Sequence, residues 1–133
     1  MIKVGMRSLA TSVKAQGVGS AYEEIIHLIT EYGKNEIEIL HHGLIRSDII
    51  HFHTLDPFSF LCMKLTRKPT IASVHFVPET MKGSLRLPKP FQRLFDGYML
   101  SFYRSADYLH IVHPDTKASY IRCANGASGE TSI

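Results

Sequence analysis

His51, His53 and His75 close two short apolar runs, DIIHFH at residues 48–53 and TIASVHF at residues 70–76. In an extended chain residues i and i+2 share a face, so His51 and His53 point the same way. With Asp56 and Glu79 nearby, the group has the residue types of a metal site, and a metal-dependent hydrolase on His51, His53, His75 and Asp56 is one reading. No H-x-x-x-H or second cluster supports it, and the expectation is no metal. The competing reading is an imidazole that is buried and hydrogen-bonded, or that meets a hydroxylated ligand. The other histidines, His27, His41, His42, His110 and His113, have no comparable placement and suggest no role.

Two further segments carry chemistry. KAQGVGSAY, residues 14–22, holds Gly17 and Gly19 between an apolar run and a helical pattern. Such glycines let a backbone approach a ligand closely, and a helix N-terminus favours an anion; a plain tight turn has the same composition. The G-x-G-x-x-G fingerprint of a dinucleotide site is missing, which disfavours a nicotinamide-dependent dehydrogenase. The segment 82–104 carries Lys82, Arg86, Lys89, Arg93 and Arg104 against Asp96 alone, interleaved with Leu85, Leu87, Phe91, Leu94 and Phe95. That pattern suits an anionic lipid surface, where each cation contributes about 1 kcal/mol. From Phe91 onward ordinary core packing is the simpler reading.

These residues need a scaffold, and the periodicity predicts one. Ile2–Met6, Glu36–Leu40, Asp48–His53, Thr70–Phe76 and Asp107–Val112 read as strands; they are continuous apolar runs rather than alternating ones. Helical spacing appears from Ser20 (Ala21, Ile25, Leu28, Ile29, with Glu23 and Glu24 in the first turn), after Pro57, from Lys89 to Arg104, and over Asp115–Ile121. In the long helix Phe91, Leu94, Phe95, Tyr98, Met99 and Phe102 form the expected apolar face. Strands alternating with helices imply a parallel sheet covered on both faces, a Rossmann-like doubly wound α/β domain. Ligands of such sheets lie beyond the carboxyl ends of the strands, where the glycines and histidines fall. One link is short: about seven residues separate the second and third strands, where a parallel crossover needs about a dozen. Either that connection holds a single helical turn or the second strand is misplaced.

The totals set the outer limits. A chain of 133 residues with 44% hydrophobic content has the size of one domain. A net charge of +3 is too mild to indicate nucleic acid without a localised patch. Cys62 and Cys123 match no metal or redox spacing and read as reduced. The start MIKVGM lacks the apolar core of a signal peptide, and no run approaches the roughly 20 apolar residues of a membrane span. Residues 122–133, RCANGASGETSI, are small and polar and read as a disordered tail.

The strings GVGSAY, DIIHFHTLDP, SVHFVPETMKGSLRLPKPF and SFYRSADYLHIVHP, in that order, resemble the N-terminal half of family 4 glycosyltransferases of the GT-B fold. The likeness is strongest to bacterial enzymes that glycosylate glucosyl diacylglycerol, and it covers residues 2–121. It implies retaining transfer of a hexose from UDP-glucose or UDP-galactose to a membrane glycolipid, with neither metal nor cofactor. By position it places Gly17 and Gly19 against the donor phosphates, His75 on the transferred sugar, and His53 and Glu79 along the cleft. Lys82, Arg86, Lys89 and Arg93 would seat the domain on anionic lipid, at the cytoplasmic face of the cell membrane.

The same resemblance sets the expected organisation: an N-terminal acceptor-side domain at 1–121, a divergent tail at 122–133, and no C-terminal donor domain with its E-x-x-x-x-x-x-x-E motif. Such a chain is expected to be inactive alone. The alternative is a non-enzymatic module that binds a glycolipid or membrane surface.

Overall fold

Each of the five apolar runs forms a strand in a computed structural model of the chain: β1 (Ile2–Arg7), β2 (Ile37–His41), β3 (Ile49–Phe52), β4 (Thr70–Val74) and β5 (Tyr108–Ile111). The structure describes residues 1–8, 18–41, 43–75 and 88–111. All described pairings are parallel, in the order β2-β1-β3-β4-β5. Among the described residues three helices connect them: α1 (Val18–Tyr32), α2 (Pro57–Leu65) and α3 (Lys89–Ser105). The doubly wound α/β arrangement expected from the alternation is therefore the fold. The helix expected at Asp115–Ile121 and the tail lie outside the described residues.

Local chemistry explains the helix ends. Asp56 caps α2: its carboxylate accepts from the Ser59 amide at 2.8 Å, the Ser59 hydroxyl at 2.6 Å and the Thr54 hydroxyl at 3.0 Å. Pro57 occupies the first turn, where its missing N–H is harmless. Asp56→Ala should lower stability by about 1 kcal/mol, read as a shifted urea midpoint at unchanged slope. At the end of α1, the Gly33 amide donates to the Ile29 carbonyl at 2.8 Å, and the Gly33 carbonyl then accepts from Glu36 and Ile37 to launch β2.

Alternate residues of the strands feed two cores. Ile50, Phe52, Ala72 and Val74 meet Met63 of α2 and Met99, Phe102 and Tyr103 of α3. On the other face Val4 and Met6 meet Tyr22 of α1, with Ile25, Ile26, Ile37 and Ile39 packed around them. The helical faces differ from the expected ones. Helix α1 starts two residues early, so Glu23 and Glu24 fall in its second turn; Tyr22 is its buried anchor, and Leu28 is half exposed. In α3 the buried residues are Met99, Leu100, Phe102 and Tyr103, while Phe91 and Leu94 face solvent.

The short link between β2 and β3 is real, and the second strand is where the periodicity put it. β1 lies between the two strands, and the link runs back along β1 as a turn rather than a helix. Asp48 stitches it down: the Lys3 amide donates to its carboxylate at 2.8 Å, and its own amide donates to the Lys3 carbonyl at 2.7 Å. The Lys68 ammonium clamps the turn by donating to the carbonyls of Leu44, Ile45 and Ser47 at 3.0, 2.5 and 2.6 Å. The close approach depends on Gly5, where a Cβ would lie 2.8 Å from Ser47 Oγ and 3.0 Å from the Gly43 carbonyl. A side chain there must lift the link off the sheet. Gly5→Ala should therefore destabilise the fold by about 2 kcal/mol through overpacking, seen as a lower midpoint of denaturation.

Candidate functional site

The chain leaves β1 through α1 to β2 on one side and returns to β3 on the other, so the strand order reverses between β1 and β3. Ligands of open α/β sheets bind at such a switch point, outside the carboxyl ends of the strands. β1 and β3 stay paired to their ends, with the His53 amide donating to the Arg7 carbonyl at 2.8 Å. Ser8 follows β1 and is buried, His53 follows β3 and is fully buried, and His75 follows β4.

Tyr22 and four histidines form a connected row of rings. The Tyr22 ring, in the second turn of α1, meets the His53 ring edge-on at 5.2 Å between centroids. His53 meets His75 at 4.4 Å. Deeper in the sheet, His51 lies 6.3 Å from His53 and 6.0 Å from His110 of β5. His51 Nε2 shares a 2.7 Å hydrogen bond with Ser73 Oγ, tying β3 to β4 below the rim. The spacing argument that His51 and His53 point together holds. His110 joins them although its sequence position suggested no role; the signal was present, since β5 also has period two, but it needed the register that pairs His110 with Ser73.

Burial sets the protonation of His51 and His75. His51 is pulled down to about 3, first by desolvation and then by the neighbouring His53, His110 and His75. His75 is pulled down to about 4 by desolvation and then by His53 and His110. At neutral pH both are uncharged imidazoles, each with one N–H to donate and one nitrogen to accept. An uncharged donor of this kind, fixed at a strand end and shielded from water, can hydrogen-bond a hydroxyl or phosphoryl oxygen without a counter-ion. Burial also raises the Tyr22 phenol, whose oxygen lies 3.4 Å from His41 Nδ1.

Behind the rim, Arg7 anchors the wall. Its Nε donates to Ser59 Oγ at 3.2 Å, and its guanidinium stacks 4.3 Å from the Phe58 ring centre. Among the described residues no group of three or more His, Cys, Asp or Glu side chains is placed to hold a metal ion; Asp56, invoked in the hydrolase reading, is occupied as the cap of α2.

The structure thus brings His53 and His75 together and sets both beside the start of α1. Gly19 lies in the first turn of that helix. Gly17, Glu79, Lys82 and Arg86 lie outside the described residues. Lys89 and Arg93 are exposed on the first turns of α3. Tyr22 was not singled out by sequence reasoning; an aromatic one turn into a helix reads as core, and only its contact with His53 links it to the rim.

Comparison with known proteins agrees with this geometry. The family model described as Glycosyltransferase Family 4 matches residues 21–128. The alpha-galactosylglucosyldiacylglycerol synthase of Streptococcus pneumoniae (strain ATCC BAA-255 / R6) is 32% identical over 116 residues, which cover 85% of this chain and 31% of that protein. The chain therefore spans about a third of the length of this relative. No solved structure matches it significantly. With a parallel Rossmann-like sheet, a switch-point rim and a family match over most of its length, this chain belongs to glycosyltransferase family 4.

Proposed function

We propose that residues 1–121 form the acceptor-side, N-terminal half of a retaining hexosyltransferase. It moves glucose or galactose from a UDP-sugar to glucosyl diacylglycerol at the inner face of the cell membrane. The donor nucleotide is held chiefly by a second α/β domain, and the 133-residue chain is inactive without one. The observation that carries the reading is the contact of His53 with His75 at the switch point, 4.4 Å apart and beside the start of α1. The streptococcal relative, named for synthesis of a galactosylglucosyl diacylglycerol, supports the lipid acceptor.

The roles follow from the chemistry. Loss of a diphosphate and growth of oxocarbenium character both call for preorganised donors in a water-poor cleft. Gly17 and Gly19 let the backbone of the loop and first turn approach the diphosphate, where the positive end of α1 adds to the attraction. His75 donates to the transferred hexose; His53 and Glu79 line the cleft. Lys82, Arg86, Lys89 and Arg93 hold the domain on anionic lipid. No metal or cofactor enters this scheme.

The test is reconstitution. This chain, a separately expressed C-terminal donor-binding domain, UDP-hexose and glucosyl diacylglycerol in vesicles should together produce the diglycosyl lipid, and neither half should do so alone. Failure of halves that demonstrably associate would overturn the reading. Vesicle binding that persists without any turnover would instead favour the non-enzymatic glycolipid-binding module.

A further inference from the structure

Arg7 ends β1 at the switch point. Val4 and Met6 of that strand enter the core beneath α1, so Arg7, the next residue, turns to the opposite face. There it meets the first turn of α2: Nε donates to Ser59 Oγ at 3.2 Å, and the guanidinium carbon lies 4.3 Å from the Phe58 ring centre. His53 meets Tyr22 on the α1 face. Arg7 and the row of rings thus flank the carboxyl ends of β1 and β3 from opposite faces of the sheet.

Helix α2 holds the guanidinium in one orientation. Phe60 packs inward on Tyr98 and Phe102 of α3, and Met63 enters the core. Phe58 is left on the outward stripe of α2 with Leu61 and Leu65, 53% exposed, and its ring covers one face of the Arg7 plane. Ser59 is fully buried and donates its hydroxyl proton to Asp56 at 2.6 Å, so it offers Arg7 only its lone pairs. The relay from Asp56 through Ser59 fixes the Nε edge.

The outer edge of the fork is left over. A guanidinium carries donors on Nε and on both Nη groups, and among the described residues Arg7 uses Nε alone. The side chain is partly buried, yet no described carboxylate forms an ion pair with it: the described pairs join Lys3 to Glu38 and His27 to Glu31. Asp56 reaches it only through Ser59, and its oxygens already accept from the Ser59 amide, the Ser59 hydroxyl and the Thr54 hydroxyl. A partly desolvated cation without a counter-ion is costly, and a bound anion offsets that cost. The planar Nη edge matches the spacing of phosphate oxygens.

Chain position narrows the anion. Arg7 opens the segment that closes on Gly17 and Gly19, the residues read as lying against the donor phosphates. We propose that Arg7 binds the diphosphate of the sugar donor through its Nη edge, as a cation that this half contributes to the donor site. This rests on the reading of a UDP-hexose donor and adds to it a residue outside the glycines and histidines. Asp56, Ser59 and Phe58 serve as its mount.

The associated pair of halves, this chain and a separately expressed donor-binding domain, allows a test by calorimetry that needs no turnover. UDP and uridine are the probes, because they differ only in the diphosphate. Arg7→Met keeps an apolar stem against Phe58 and leaves Ser59 bonded to Asp56, so circular dichroism and thermal melting should match the parent. It should weaken UDP about 10–100-fold, the loss of one charge-assisted pair, and leave uridine unchanged. Arg7→Lys keeps the charge without the fork and should recover part of that loss. Binding to phosphatidylglycerol vesicles should not change.

Equal weakening of UDP and uridine means that the cleft itself is disturbed, and overturns the inference. A variant that binds UDP like the parent also overturns it, while turnover by the parent pair leaves the transferase reading standing. Loss of vesicle binding at unchanged UDP affinity assigns the fork to a lipid phosphate and overturns it too. A parent pair that neither binds UDP nor transfers hexose overturns both readings together.

Discussion

His75→Ala is expected to reduce hexose transfer in the reconstituted enzyme by about 10²–10³-fold, the loss typical of removing one preorganised donor from a developing charge. The loss should fall mainly on kcat. An interaction that strengthens only as the sugar–phosphate bond breaks contributes little to ground-state binding, so KM for the UDP-hexose should change much less. His75→Asn retains one N–H donor and should recover part of the rate. Because burial holds His75 at about 4, its imidazole is already neutral well below pH 6. The rate should therefore not fall between pH 6 and 8 through this group. A KM increase with kcat unchanged would make His75 a binding residue only.

The second large effect is acid sensitivity of the fold. His51 titrates near 6.5 in an unfolded chain and at about 3 in the buried row. Between those values the unfolded chain binds more protons than the folded one, so stability rises with pH across the window. The contribution is complete above about pH 6.5, is lost as pH falls, and stops changing below about pH 3. At 1.36 kcal/mol per pH unit, His51 alone should account for about 2 kcal/mol by pH 5 and about 3 kcal/mol by pH 4. That is a large share of the 5–15 kcal/mol of an ordinary domain. His75, pulled down to about 4 by desolvation and then by His53 and His110, adds in the same direction.

Among the described residues the groups facing His51 are His53 just past the end of its own strand, Ser73 of β4 with His75 after it, and His110 of β5. None of them is a carboxylate able to stabilise an imidazolium. His51→Gln keeps a partner for Ser73 without a titrating ring, so the difference between parent and variant in urea midpoints from pH 7.5 to 4 isolates the histidine. Parallel pH dependences in the two proteins would show that His51 is not the sensor.

Much of this was legible in the residues themselves. The five strands, the parallel sheet and the positions of His53 and His75 at strand ends follow from apolar run length, side-chain period and the position of glycine and proline, all of which act over a few residues. The family resemblance, carried by strings such as VHFVPET and LPKPF, was equally local, and the family match agrees with it. The expected organisation beyond residue 121 and the roles of Gly17, Glu79, Lys82 and Arg86 stand as proposals.

What tertiary structure alone decided depends on strand order and register. Nothing in the seven-residue link showed that β1 lies between β2 and β3, or that Gly5 makes room for the link to lie flat. His110 gained its place only through pairing with β4, and Tyr22 gained its place only through the docking of α1 on β1. The outward stripe of α2 is a further case. Phe58, Phe60, Leu61, Met63 and Leu65 are all apolar, so their sequence could not say which side turns inward. The packing of Phe60 and Met63 against α3 settled it, because a helix can bury one face and must leave the other exposed.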